Sequence, residues 1–215
     1  MIPKLWHQTI EAHRRGVRDA ILDITAALVA QHGLRSVTMS QIAEETGIGR
    51  ATLYKYFTGV EPILVAWHER HVAGHLEHLT ELLRRPGAVT ERLGAVVEAY
   101  ALICFERRQH GADLGGLVHQ SEYVSQPHHR LERIFLDLLT EAAQIGGVRG
   151  DVPPGELATY CLHALEASGS LPSRTAVQRL VTVVLAGLDA PSSGAHDTPL
   201  QAGRSHKGKH AGHEP

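Results

Sequence analysis

The sequence predicts an all-α fold, a small N-terminal three-helix module followed by a larger C-terminal helical bundle. Three observations carry this. Apolar residues recur at helical spacing, as in Val17, Ala20, Ile21, Ile24, Ala27 and Leu28, where a half-buried strand would alternate. No period-2 run of any length occurs. Glycine and proline fall between the periodic stretches, at Gly33, Gly47, Pro86-Gly87, Pro127, Pro153-Pro154 and Pro172, where they end helices rather than break them.

Taken in order, the first helix buries the Val17–Leu28 stripe and turns Arg18, Asp19 and Asp23 to the other side, with Gly33 at the left-handed position beyond its end. Thr38-Met39-Ser40-Gln41 is a capping box. In it a Thr hydroxyl accepts from the third backbone N–H and the Gln side chain reaches back. The short helix it opens ends at Thr46-Gly47, and a third runs from about Arg50 to Phe57. Glu61 and Pro62 suit the first turn of a long fourth helix reaching Arg85. Further helices are expected over 90–109, 128–145, 155–168 and 173–188. The segment 111–126 is ambiguous, with room for a short helix from Leu114 to His119. Beyond Ala190 the chain is dominated by Gly, Ser, Pro and His, a composition that predicts disorder. The expected domains are 1–60, 61–189 and a disordered tail, 190–215.

Composition narrows the function. Apolar residues make up 43% of the 215, enough for a sizeable core. Apolar runs such as Val183 to Leu188 are far too short to cross a bilayer. Met1 to His7 lacks a signal pattern, so a cytoplasmic protein is expected. Cys104 and Cys161 form no CxxC and suit a reducing compartment. Charge is uneven: residues 1–57 hold seven Lys/Arg against five Asp/Glu, and 58–189 hold eleven against sixteen. Only the front of the molecule is therefore suited to face a polyanion.

The residues best suited to do so lie in 38–57. Two short helices joined by a tight turn need a small residue at their crossing, a Gly in the turn and apolar anchors inside. Ala43, Gly47, Ile48, Leu53 and Phe57 supply these. At about 100° per residue, Leu53, Tyr56 and Phe57 share the inner face of the third helix. Ala51, Tyr54 and Lys55 point outward, flanked by Arg50 and Thr52, a set suited to phosphates and base edges. An ordinary helix pair with a solvated basic face would give the same local pattern.

The run Val37 to Phe57, with Ile42-Ala43, Gly47-Ile48 and Thr52-Leu53-Tyr54-x-Tyr56-Phe57 in order and spacing, resembles the DNA-binding domain of the TetR/AcrR family of bacterial regulators. The first helix and Gly33 match as well, so the resemblance covers about 15–65. It implies a homodimer on a near-palindromic operator of double-stranded DNA, and a repressor released by a small-molecule effector held in the C-terminal domain. It also implies phosphate contacts from Thr38, Tyr54 and Lys55, and base or groove contacts from Arg50, Ala51 and Thr52. With Ser40 and Gln41 at the start of the second helix, these complete the expected DNA-facing set. Gly49 stands where the family often has a Ser-type cap, and Val60 where a Lys commonly touches phosphate. Ahead of the first helix, Lys4, Arg14, Arg15 and Arg18 around Trp6, His7 and His13 resemble basic arms that reach DNA; a solvated helix face reads the same.

His68, His71, His75 and His78 fall within an arc of roughly 80° on the fourth helix, shared with Leu64 and Leu82 and so directed inward. A semi-buried polar face is the expected role, and a metal- or pH-sensing regulator is the alternative. Trp67, His71, His75, Tyr100, Cys104, His119, Tyr123 and Cys161 are the expected effector-binding residues, although for Tyr100, Cys104, His119, Tyr123 and Cys161 ordinary core packing is the favoured reading. The dimer is expected through two apolar stripes, Leu157, Cys161, Ala164 and Leu165 with Val177, Leu180, Val181, Val184 and Leu188. Catalysis has no visible support. His68-Glu69-Arg70-His71 is one residue short of HExxH, Gly47-Ile48-Gly49 follows no strand, and GxSxG and phosphate loops are missing. The protein is therefore expected to be no enzyme, and no cofactor or resident metal is assigned.

Overall fold

The computed structural model describes residues 4–111 and 125–190, which form eight α-helices with no strand among them. These are α1 (Lys4–His32), α2 (Met39–Thr46), α3 (Arg50–Tyr56), α4 (Val60–Leu83), α5 (Val89–Gly111), α6 (Ser125–Gln144), α7 (Pro154–Glu166) and α8 (Arg174–Leu188). Short 3-10 turns follow α1 at Leu34–Ser36 and α7 at Ala167–Ser170. The expected helix at Leu114 to His119 and the tail beyond 190 lie outside the described residues. The main departure in length is α1. Gln8, Glu11, Ala12, Arg14 and Arg15 are good helix formers, and they carry the helix back to Lys4, where a basic arm and a solvated helix face were both open readings.

Two cores divide the molecule. The first gathers Ile21, Leu22 and Val29 of α1, Ile42 and Ala43 of α2, Leu53 of α3 and Phe57 after it, and Ile63, Leu64 and Ala66 of α4. Trp67 and Val17 pack on its edge. The N-terminal module thus takes in the first two turns of α4, beyond the expected boundary at 60. Ile63, Leu64 and Ala66 form one helical face turned to α1, and leaving them exposed would cost roughly 1.5–3 kcal/mol per large side chain.

The second core is built around α5, which touches α4, α6, α7, α8 and the second 3-10 turn. Leu93, Val96, Val97, Tyr100, Ala101 and Cys104 of α5 meet Leu131, Phe135, Leu138 and Leu139 of α6. Leu76, Leu79 and Leu82 of α4 close one side. Arg92 of α5 donates to the carbonyl of Leu83 at 2.9 Å and pairs with Glu141 of α6, so it ties three helices together. At α8's end, the Arg149 amide donates to Leu188 O at 2.7 Å and its guanidinium to Gly187 O at 3.3 Å, satisfying carbonyls the helix leaves open.

The apolar stripes expected to face a second subunit do something else. Leu157, Cys161 and Leu165 of α7, and Val177, Val181, Val184 and Leu188 of α8, are buried in the chain's own core, with Ala164 and Leu180 packed against it. An α7–α8 pair must first cover α5, and that uses these faces. The outward face of the pair instead carries Tyr160, 41% exposed, and Val183, 64% exposed. Gly187 lets the two helices approach: a Cβ there would lie 2.8 Å from the Tyr160 hydroxyl.

Candidate nucleic-acid interface

The α2–α3 unit is held by local bonds that its sequence specifies. At the start of α2 the Gln41 amide donates to Thr38 Oγ1 at 3.3 Å, and the Thr38 amide donates to Gln41 Oε1 at 2.9 Å. The Thr38 hydroxyl also donates to Gln41 Oε1 at 2.9 Å. Gly47, at φ 67° and ψ 16°, ends α2 in the left-handed region, which a residue with a Cβ enters at a cost of about 1 kcal/mol or more. The Ile48 amide then donates to Ala43 O at 3.2 Å, and Ile48 turns back onto the first core. Gly49 is extended and gives α3 no side-chain cap, as its position in the sequence suggested.

The result is one buried and one open face on α3. Leu53 is fully buried and Phe57 nearly so. Arg50, Ala51, Thr52, Tyr54 and Lys55 are all exposed, Tyr54 to 48%. Ser40 and Gln41 are exposed at the start of α2 beside them. All eight residues expected to face DNA therefore lie on open surface. Thr38 differs in that its single O–H is given to Gln41 and its lone pair to the Gln41 amide. Its job is to fix where α2 begins. Gln41, whose Oε1 is used in the cap, meets no acceptor for Nε2 among the described residues and keeps two N–H donors for a phosphate.

The expected effector residues do not gather at one place. Trp67 belongs to the edge of the first core, and its ring lies 4.0 Å from that of His71. His71 is exposed, with Nδ1 3.1 Å from Trp67 O. Tyr100, Cys104 and Cys161 are buried together in the second core, and Tyr100 meets Phe135 edge-on at 5.7 Å. Burial pushes the Tyr100 phenol and the Cys104 thiol up, and the Cys161 thiol up to about 12. Neither cysteine is thus poised as a thiolate. His119 and Tyr123 lie outside the described residues.

The histidine stripe divides. His68 and His75 are half-buried, whereas His71 and His78 are exposed, so the inward orientation expected for all four is corrected. The helical arc is wide enough that its edges reach solvent. Among the described residues no three His, Cys, Asp or Glu side chains converge as a metal cage. His68 and His75 are both lowered, chiefly by burial. Arg107 of α5 and then His71 lower His68 further, while His71 acts next on His75 and Glu106 opposes it.

Sequence reasoning missed Arg70, which emerges from α4 between the two cores. It donates to Asp19 Oδ1 at 3.1 Å and pairs with Asp23, both on α1. A signal was available: Arg70 is the single Lys or Arg in α4, and Asp19 and Asp23 stand one turn apart on α1.

With this geometry in place, comparison with known proteins is direct. Residues 21–66 match the model for bacterial regulatory proteins of the tetR family. The HTH-type transcriptional activator FasR of Mycolicibacterium smegmatis is 26% identical over 110 residues, 51% of this chain and 48% of that protein. The match therefore spans about half of that relative's length. The HTH-type transcriptional repressor KstR2 of Rhodococcus jostii is 25% identical over 195 residues, 83% of this chain and 94% of that protein. Among solved structures, a TetR/AcrR-family transcriptional regulator from Thermobifida fusca superposes with a TM-score of 0.68 at 19% identity, covering 79% of this chain and 97% of that one. FadR from Bacillus subtilis, in complex with stearoyl-CoA, superposes with a TM-score of 0.60 at 16% identity, covering 79% of this chain and 98% of that one. At these identities the structures establish the fold.

Proposed function

We propose that this chain, whose residues 21–66 match the model for bacterial regulatory proteins of the tetR family, is a dimeric repressor of transcription, released from a palindromic operator by a small-molecule effector. The observation that carries this is the open face of α3, Arg50 to Lys55, held rigidly by buried Leu53 and the left-handed Gly47. Lys55, Tyr54 and Arg50 contact phosphates and base edges of the major groove. Two subunits pair through the outward face of α7 and α8 around Tyr160 and Val183, which spaces the two α3 helices to meet successive grooves about 34–36 Å apart. α4 is the lever: its first turns sit in one core and its last in the other, and Arg70 fastens it to α1. An effector that favours a differently angled α4 lowers DNA affinity by its differential binding to the two states.

The effector class that fits is an acyl thioester of coenzyme A. The second core is almost wholly apolar, with Tyr100, Cys104 and Cys161 its few polar side chains, and Ser168 Oγ is buried without a hydrogen-bond partner among the described residues. Such an interior suits a hydrocarbon chain with one polar junction, and the B. subtilis neighbour was solved with stearoyl-CoA. The test is fluorescence anisotropy on a duplex selected from random DNA by the full-length protein. Tyr54→Ala and Lys55→Ala are expected to abolish selective binding, and stearoyl-CoA, but neither coenzyme A nor stearate alone, to release the wild-type protein. Unchanged binding by both variants would refute the DNA-binding face. Indifference to acyl thioesters of every chain length would refute the effector class.

A further inference from the structure

Residues 9–16 of α1 are exposed and precede the buried residues of both cores. Ile21 is the first buried core residue, and Val17 packs at its edge. The family match likewise begins at 21. From Lys4 to Gly16 the helix runs about 20 Å at 1.5 Å per residue, and its residues 9–16 are exposed. A free helix of that length is marginal in water. Gly16 weakens it by about 1 kcal/mol relative to Ala, although a Cβ there would meet nothing within 4 Å. Crowding therefore does not account for this glycine, which leaves a soft joint where the helix departs from the core.

Its charge and its anchor point to one occupant. Between Lys4 and Arg18 the chain carries Lys4, Arg14, Arg15 and Arg18 against a single acid, Glu11, which lies 3.7 Å from Arg14. The Arg18 guanidinium lies over the ring of Phe57 at 5.4 Å, and Phe57 is the residue that ends α3. Arg14 stands one turn before Arg18, on the same side of α1. Arg14 and Arg18 thus share one side of α1 with Arg15 next to them, and Arg18 lies against Phe57 at the end of α3. We propose that this N-terminal spur of α1 is a second DNA-contacting element, in which Arg14 and Arg15 neutralise backbone phosphates flanking the segment read by α3. The proposal rests on the DNA-binding reading above and extends it beyond the helix-turn-helix. The spur adds affinity without sequence preference, since phosphate contacts carry no base information. DNA orders a helix that is marginal without it.

The experiment measures affinity against salt concentration for the full-length protein on the selected duplex, lengthened by one helical turn on each side. Arg14→Ala/Arg15→Ala is expected to weaken binding at least tenfold and to flatten the slope of log K on log salt by nearly two per subunit, about 0.9 for each phosphate released. Preference for the selected sequence over random DNA should stay unchanged, and Arg14→Lys/Arg15→Lys should restore most of the slope. Gly16→Ala is expected to tighten binding, because less helix must be ordered. An Ala/Ala variant with unchanged affinity and slope overturns the spur, whether or not the helix-turn-helix reading holds. Tyr54→Ala and Lys55→Ala report on that reading separately.

Discussion

Arg70 offers a quantitative test of how the two halves of the molecule are joined. Its side chain is 30% exposed, and its partners Asp19 and Asp23 are 51% and 61% exposed. Hydrogen bonds to charged groups are worth about 1.5–3 kcal/mol when protected from water, and fully exposed ion pairs about 0.2–1 kcal/mol. With both carboxylates more than half exposed, the lower range applies, raised toward its upper end because one guanidinium serves two carboxylates. Arg70→Leu, which keeps most of the stem, is therefore expected to cost about 1–1.5 kcal/mol, or roughly 2–6 °C in Tm for a chain of this size. Double-mutant cycles with Asp19→Asn and Asp23→Asn, read by urea unfolding, should return coupling energies of about 0.5–1 kcal/mol each. Both should shrink as salt rises toward ~1 M and the Debye length contracts to about 3 Å. Coupling below about 0.3 kcal/mol for both pairs would refute the clamp, and α4 would then be held to α1 by apolar contact alone.

Other expectations follow from the same geometry. His68 and His75 have folded pKa values below the unfolded reference of about 6.5. The unfolded chain therefore takes up protons first, and stability is full above that value and falls as pH drops through it toward the lower folded values. His68→Gln/His75→Gln should flatten the decline in melting temperature between about pH 7 and 5; an unaltered decline would refute the role of these two histidines. Gly47→Ala should destabilise the helix-turn-helix by about 1–2 kcal/mol through its positive φ, seen as faster amide exchange in α2 and α3. Gly49→Ser should do the reverse by a few tenths of a kcal/mol, by giving α3 the cap it lacks. Val183→Asp, on the outward face of α8, should produce monomers in sedimentation with unchanged helicity; a persistent dimer would move the interface elsewhere.

What could be read from the sequence was what local chemistry decides. The capping box, the left-handed Gly47 and the burial of Leu53 and Phe57 each depend on residues within one or two turns, so spacing alone disclosed the α3 face. The α7 and α8 stripes were equally visible as stripes. Amphipathicity shows that a face is covered, though, and does not show whether the cover is the chain's own α5 or a second subunit. The histidines failed in the same way, since position on a helical wheel does not say how far a neighbour reaches around it. Arg70 was missed because its partners are about fifty residues away on another helix. The length of α1 was missed because a polar helix without a buried stripe leaves no periodic signal.

That α4 belongs to two cores has a further consequence. There is no linker between the modules, only helical phase. One residue inserted between Trp67 and Leu76 would turn the second bundle by about 100° about the α4 axis and lift it by about 1.5 Å. Seven residues would nearly restore the angle and lengthen the molecule by about 10 Å. Chimeras that exchange sensing bundles on this frame must therefore conserve angle and length together. On the proposed function, the number of residues between the two cores would then act as a measuring rod for the separation of half-sites in the DNA.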